Sequence, residues 1–221
     1  MIPTRYISPY FIGVELFVTI FIIFLCILIY FKTKEVFDLT KHKGIFYFRN
    51  TFLFLAISYF LRLIMVLIRL NSLPPMHSNI YFLITSIIIS YISTMAILLL
   101  FLSTTWKYFN SKYTLIFTNI LALLISLFAF LTHEPQIVAF IQLILFLSTI
   151  IFSIISHKKL KNKNKFSNIL IIYFLLFLFW FTSMLPLGKK YIIPFEYIIP
   201  FQILSLIIFF IIYFKVKKWT K

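Results

Sequence analysis

Seven long runs of apolar residues, separated by short polar links, make up almost the whole sequence. Each run is close to the ~20 residues that an α-helix needs to cross the hydrocarbon core of a bilayer. The runs are continuously apolar rather than alternating, and an open sheet edge cannot face lipid, so spanning strands are excluded. The pattern predicts an all-α fold: a single seven-helix transmembrane domain over residues 1–221, with helices at 9–31, 45–68, 80–101, 113–131, 137–155, 168–186 and 192–214.

Composition supports lipid as the solvent for most side chains. Hydrophobic residues make up 62% of the 221 residues and aromatic residues 21%, with a mean hydropathy of +1.06. A soluble domain of this size cannot bury so large an apolar fraction. The first apolar run is longer than a typical signal-peptide core, so we interpret it as a retained helix.

The basic residues predict the orientation of the bundle. With the N-terminus outside, fifteen lysines fall in the cytoplasmic segments 32–44, 106–112, 156–167 and 215–221. The outer segments then hold four basic residues: Arg5, Arg69, Lys189 and Lys190. Because cytoplasmic loops carry the excess of Lys and Arg, this count predicts an outer N-terminus and a cytoplasmic C-terminus in a multi-pass protein of the cell membrane.

The net charge of +16 has a membrane explanation rather than a nucleic-acid one. The lysines are spread over every predicted cytoplasmic link, where anionic headgroups are their natural partner. An alternative role for the densest cluster, His157 to Lys165, is to bind a cytoplasmic protein. No nucleic-acid partner is expected.

Charged residues inside the predicted helices mark the candidate site. Each costs roughly 2.5–3.5 kcal/mol at membrane depth, so each needs a partner or a role. Glu15, Arg62 and Glu196 all fall in the predicted outer third, and we expect Arg62 to pair with Glu15, with Glu196 as the alternative acceptor. Tyr59 and Trp180 complete the candidate binding residues, with core packing as the other interpretation of Trp180.

Two interpretations of this charged cluster stay open. One is a structural lock between the first two helices, because intramembrane ion pairs are often architectural. The other is an outward-facing pocket for a small polar or charged ligand. Hydroxyl and amide residues at helical spacing, such as Gln142, Thr149 and Ser153 in helix five, indicate inward faces that pack helices together.

The sequence offers little for catalysis. The four histidines are divided between the two predicted sides of the membrane, so no metal site is expected, and no cofactor motif occurs. No catalytic set for intramembrane hydrolysis is visible. We therefore expect a non-enzymatic binding or sensing module, with a small transporter or channel for ions or polar solutes as the alternative.

The stretch from Lys32 to Arg62 reads KTKEVFDLTKHKGIFYFRNTFLFLAISYFLR and resembles a link-plus-helix pattern of uncharacterised, small, archaeal-type seven-helix membrane proteins. This resemblance implies no particular activity. The topology is also similar to that of rhodopsin-like receptors, but the seventh run lacks a lysine that would hold retinal. In the link at 32–44, Val36, Phe37 and Leu39 predict a short interfacial helix, with Arg49 reaching toward the inner headgroups.

Overall fold

The structure, a computed structural model, describes residues 9–70, 75–109, 113–131, 135–158, 163–184 and 198–220. Within these ranges every regular element is an α-helix, which confirms the all-α prediction. The helices are α1 (Pro9–Thr40), α2 (Lys43–Leu70), α3 (Pro75–Thr105), α4 (Thr114–Leu131), α5 (Pro135–Lys158), α6 (Lys163–Met184) and α7 (Ile198–Trp219).

Five of the described helices are long and apolar enough to cross a membrane. The qualifying stretches are Ile12–Thr40, Lys43–Ile68, Ile84–Thr105, Ile137–Ser156 and Ile198–Trp219. In α4 and α6 the apolar stretches are shorter, Thr114–Phe128 and Ile169–Met184. Large apolar side chains cover the outer faces of these helices, with Phe17 56%, Phe117 66% and Ile207 52% exposed. A hydrocarbon environment accounts for this exposure, which water would penalise.

The first helix is longer than the hydrophobic pattern predicts. It continues to Thr40 instead of ending at Phe31, so residues 32–40 form its last turns and not a separate interfacial helix. A helix satisfies its own backbone hydrogen bonds and can therefore extend into water. Two ion pairs support these turns: Lys32 lies 3.2 Å from Glu35, and Lys41 lies 3.7 Å from Asp38.

Six helices form a closed ring in the order α1, α2, α3, α5, α6, α7, and α7 returns to α1. The seventh, α4, lies outside the ring against α3 and α5. Fully buried side chains, including Phe52, Ile172 and Phe209, occupy much of the ring interior between α1, α2, α6 and α7. The rings of Phe52 and Phe209 lie 6.4 Å apart, so α2 and α7 meet through side chains although α1 stands between their backbones.

Small residues hold α4 against the ring. Thr114, Thr118, Ala122 and Ser126 recur every four residues and are all buried. This spacing places them on one face, and their size lets two helices approach closely. A hydrogen bond also joins α4 to α3, from the Tyr91 hydroxyl to Asn119 Oδ1 at 2.8 Å.

The link between α1 and α2 consists of only Lys41 and His42. Lys41 adopts a left-handed conformation with φ of 51°, which is typical of the residue that follows a helix. His42 then begins α2 as its N-cap: its Nδ1 accepts a hydrogen bond from the Gly44 N–H at 3.1 Å. Gly44 has to be glycine here, because a Cβ would lie 2.9 Å from the Trp106 ring and 3.1 Å from the Ser103 carbonyl oxygen.

The cap makes the stability of this turn depend on pH. Burial, and then the positive charge of Lys107, lower the pKa of His42 from its ordinary value of 6.5. Only the unprotonated Nδ1 accepts a hydrogen bond. The stabilisation is therefore fully present above the unfolded pKa of 6.5 and is lost as the pH falls through the depressed folded pKa.

We expect the thermal unfolding midpoint of the purified protein to fall between about pH 7.5 and about pH 5. His42→Asn keeps a side-chain acceptor for the cap but carries no titrating ring, so it should reduce this pH dependence. Differential scanning fluorimetry of both proteins across the range measures the difference. An identical pH dependence in the two proteins would contradict the role of His42, since the other histidines are present in both.

Candidate binding site

The ion pair between Glu15 and Arg62 joins the N-terminal part of α1 to the C-terminal part of α2. Arg62 Nη2 lies 3.0 Å from Glu15 Oε1, and Arg62 Nε lies 3.3 Å from the same oxygen. The two side chains are only 14% and 21% exposed, for Glu15 and Arg62 respectively. The predicted pairing of these residues is confirmed. Glu196, the alternative acceptor, lies outside the described residues.

Tyr59 lies one helical turn before Arg62 and connects α2 to α6. Its hydroxyl donates to Ser183 Oγ at 3.2 Å, and Ser183 in turn donates to the Phe179 carbonyl oxygen at 2.8 Å. The rings of Tyr59 and Phe179 are 5.9 Å apart. Tyr59 and Arg62 thus present two polar groups on one face of α2, toward the interior of the ring.

Trp180 belongs to a second polar cluster, centred on Gln142. The Trp180 indole N–H donates to Gln142 Oε1 at 3.1 Å. Gln142 Nε2 donates to Ser93 Oγ at 2.9 Å and to Thr94 Oγ1 at 3.0 Å. This fully buried amide therefore ties α5 to both α3 and α6.

The sequence placed Gln142 only on a packing face and missed its central position. The packing face itself is present, because Gln142, Thr149 and Ser153 are all buried. One signal pointed further: Gln142 is the only amide within its apolar run, and an amide in hydrocarbon needs partners on other helices. Which helices supply them depends on helix rotation, which the sequence does not reveal.

Two adjacent cavities occupy the ring next to these groups. The larger, of about 100 Å³, is bounded by α2, α3, α5 and α6 and has a largely apolar wall that includes Ala96, Ile97, Phe146 and Trp180. The smaller, of about 20 Å³, is bounded by α1, α2, α6 and α7, and most of the residues that line it have polar side chains. Its lining includes Glu15, Thr19, Arg62, Thr182, Gln202 and Ser205.

Three residues stand between the cavities, because Tyr59, Arg62 and Ser183 line both of them. The structure thus brings Glu15, Tyr59 and Arg62 together at the small cavity, and Tyr59, Arg62 and Trp180 at the large one. Gln202 and Ser183 were not predicted as site residues. Their polarity gave a weak signal, and the contact that brings Ser183 into the site, with Tyr59, comes from a helix distant in the chain.

At the opposite end of α2, Arg49 is held by aromatic rings. Its guanidinium carbon lies 4.8 Å from the ring centre of Phe37, 5.2 Å from that of Tyr30 and 5.4 Å from that of Phe46. These are cation–π distances. They fix Arg49 at the α1–α2 interface, and its proposed contact with headgroups stays a prediction.

The described residues offer no ready metal site, since no three His, Cys, Asp or Glu side chains among them are placed to hold an ion. Cys26, the only cysteine in the sequence, is fully buried with a free thiol. The site therefore consists of an ion pair, hydroxyls, amides and an apolar chamber. Such a set suits non-covalent binding.

Fold and site together define an all-α protein with apolar helices suited to a membrane and a polar site inside the ring. The chain is similar to an uncharacterised protein of the archaeon Archaeoglobus fulgidus. The two are 27% identical over 225 aligned residues, which cover 99% of this chain and 97% of the relative. The predicted resemblance to uncharacterised archaeal proteins is confirmed. No protein-family model matches the chain, and no solved structure matches it.

Proposed function

We propose that the chain is a seven-span protein of the cell membrane that binds a small molecule inside its helix ring and acts as a non-enzymatic binding or sensing module. The observation that carries this proposal is the cavity of about 100 Å³ beside Arg62, Tyr59 and Trp180. Ligand sites are typically concave and mostly apolar, with a few polar groups that fix orientation. This cavity has that composition.

The seven spans and their orientation are part of the proposal. The 18 residues of α4 extend about 27 Å and the 22 residues of α6 about 33 Å, at 1.5 Å per residue. Both lengths are close to the ~30 Å hydrocarbon core. The fifteen-to-four distribution of basic residues supports a cytoplasmic C-terminus, where anionic lipids would meet the lysines. The segment from His157 to Lys165 remains the candidate contact for a cytoplasmic protein.

Filling the larger cavity tests the binding role. Ala96 lines this cavity and is 1% exposed, so Ala96→Leu adds apolar volume where space exists. We expect the variant to fold and to lose the increase in unfolding temperature that small-molecule ligands give the wild type. A thermal-shift screen of full-length protein in nanodiscs measures this, with Ala139→Leu at a half-buried site on α5 as the matched control.

Two results would contradict the binding role. One is a screen in which no small molecule stabilises the wild type. The other is a ligand that stabilises wild type and Ala96→Leu equally, which would place its site elsewhere.

A transporter is the second candidate, and one observation favours it. Ser103 and Tyr173 share a hydrogen bond of 2.8 Å about one turn beyond the cavity residue Leu100, so polar groups continue along the α3–α6 interface. The fully buried side chains of Phe52, Ile172 and Phe209 argue against an open path. Solute flux into liposomes that depends on Arg62 would favour transport over sensing.

A further inference from the structure

Gln202 carries a buried hydrogen-bond acceptor that no donor satisfies among the described residues. The residue is 7% exposed, near the start of α7, and its Oε1 lacks a partner. Buried polar atoms are nearly always paired, and an unpaired one in a native protein indicates a missing partner. Gln202 lines the smaller cavity, whose volume of about 20 Å³ is enough for one water-sized group.

Two side chains joined by a long hydrogen bond separate the two cavities. Tyr59 and Ser183 line both cavities and are joined at 3.2 Å, longer than the usual ~2.7–2.8 Å of O–H···O bonds. A ligand hydroxyl entering here can accept from Tyr59 while its carbon body stays in the larger cavity. The two cavities then form one site with an apolar part and a polar part.

The charges at the smaller cavity favour a neutral head group. Arg62 is neutralised by Glu15 at 3.0 Å, so an incoming carboxylate gains little from Arg62 and is repelled by Glu15. An ammonium group is repelled by Arg62 and gains little from Glu15, whose charge Arg62 already neutralises. A hydroxyl avoids both, because it donates to Gln202 Oε1 and accepts from Tyr59 or Arg62.

The larger cavity sets the size of the apolar body. A cavity of 150 Å³ accepts benzene in a well-studied engineered protein. By proportion, the 100 Å³ available here holds roughly four carbon atoms.

We propose, resting on the binding function above, that the ligand is a small neutral amphiphile: an alkyl group of about four carbons in the larger cavity, with a hydroxyl that donates to Gln202 Oε1. Gln202 thereby becomes a determinant of ligand specificity. Its position on α7 makes head-group recognition a contact between α7 and the Tyr59–Arg62 face of α2.

Four probes test the proposal on full-length protein in nanodiscs. Isobutanol, isobutyrate and isobutylamine have the same branched four-carbon skeleton, whose last carbon carries the head group in each, while xenon reports the apolar cavity alone. Affinities come from titrations followed by NMR. We expect isobutanol to bind tightest of the three organic probes, and Gln202→Met to weaken it about threefold to tenfold while leaving xenon binding unchanged.

Each outcome has a distinct meaning. Equal isobutanol affinity in wild type and Gln202→Met would overturn the role of Gln202, and tighter binding of isobutyrate or isobutylamine would overturn the neutral head group. In both cases xenon binding that disappears in Ala96→Leu would leave the cavity and the proposed function standing. Failure of xenon and all three organic probes to bind would overturn both proposals.

Discussion

Replacing Arg62 by methionine should lower the free energy of unfolding by about 2 to 4 kcal/mol, because it leaves the Glu15 carboxylate in a largely buried place without its partner. Glu15 is 14% exposed and Arg62 21% exposed, so solvent screens the pair only in part. Unfolding in mixed detergent micelles, followed by circular dichroism, measures the loss.

The double variant Glu15→Gln, Arg62→Met is the control. It removes both charges, and we expect it to recover most of the lost stability, since a neutral pair carries no uncompensated ion. Full stability of the single variant would show that the ion pair contributes nothing to folding. A double variant that folds but no longer binds isobutanol would assign the pair to the site as well as to the lock between α1 and α2.

Replacing Gln142 by methionine should cost about 2 kcal/mol of unfolding free energy. The change removes three hydrogen bonds, to Ser93, Thr94 and Trp180, and interhelical bonds in membranes average about 0.6 kcal/mol with a maximum near 1.7. Some further loss comes from the indole N–H, which stays buried without an acceptor. The same unfolding assay applies.

Gln202→Met is the matched control for this change. It makes the same substitution at another buried glutamine of an apolar helix, but Gln202 Oε1 has no partner to lose. We expect it to be close to neutral in stability. If both variants lose the same unfolding free energy, the loss comes from replacing any buried glutamine by methionine. The hydrogen bonds around Gln142 would then contribute nothing specific.

The sequence predicts the lengths of the helices and the height of each residue along its helix. Glu15 and Arg62 were matched because α1 and α2 follow each other directly and run in opposite directions, so counting residues from the helix ends gives their relative height. The predicted end of α1 at Phe31 failed for a related reason. A change from apolar to polar residues marks where the bilayer ends, and the helix itself continues to Thr40.

The sequence does not predict which helices are neighbours or which of their faces are in contact. A helix that faces lipid on one side and apolar neighbours on the other has little difference in polarity between its faces. The rotation of each helix about its axis is therefore determined by how its side chains pack. The contact between Gln142 and Trp180 depends on that rotation. The position of α4 outside the ring follows from the small residues Thr118, Ala122 and Ser126, whose spacing indicates close contact but does not name the neighbour.

The two-residue link between α1 and α2 also limits how the ring can move. Lys41 and His42 form a link with no spare residues, and Ser103 of α3 and Trp106, just after α3, leave no room for a side chain at Gly44 at the start of α2. Because the Glu15–Arg62 pair joins the opposite end of the same two helices, α1 and α2 are fastened at both ends, and we expect them to move together. An opening that admits a ligand without breaking either fastening therefore has to occur at a seam between other helices, and those of α6 border the site, because Ser183 of α6 lines both cavities.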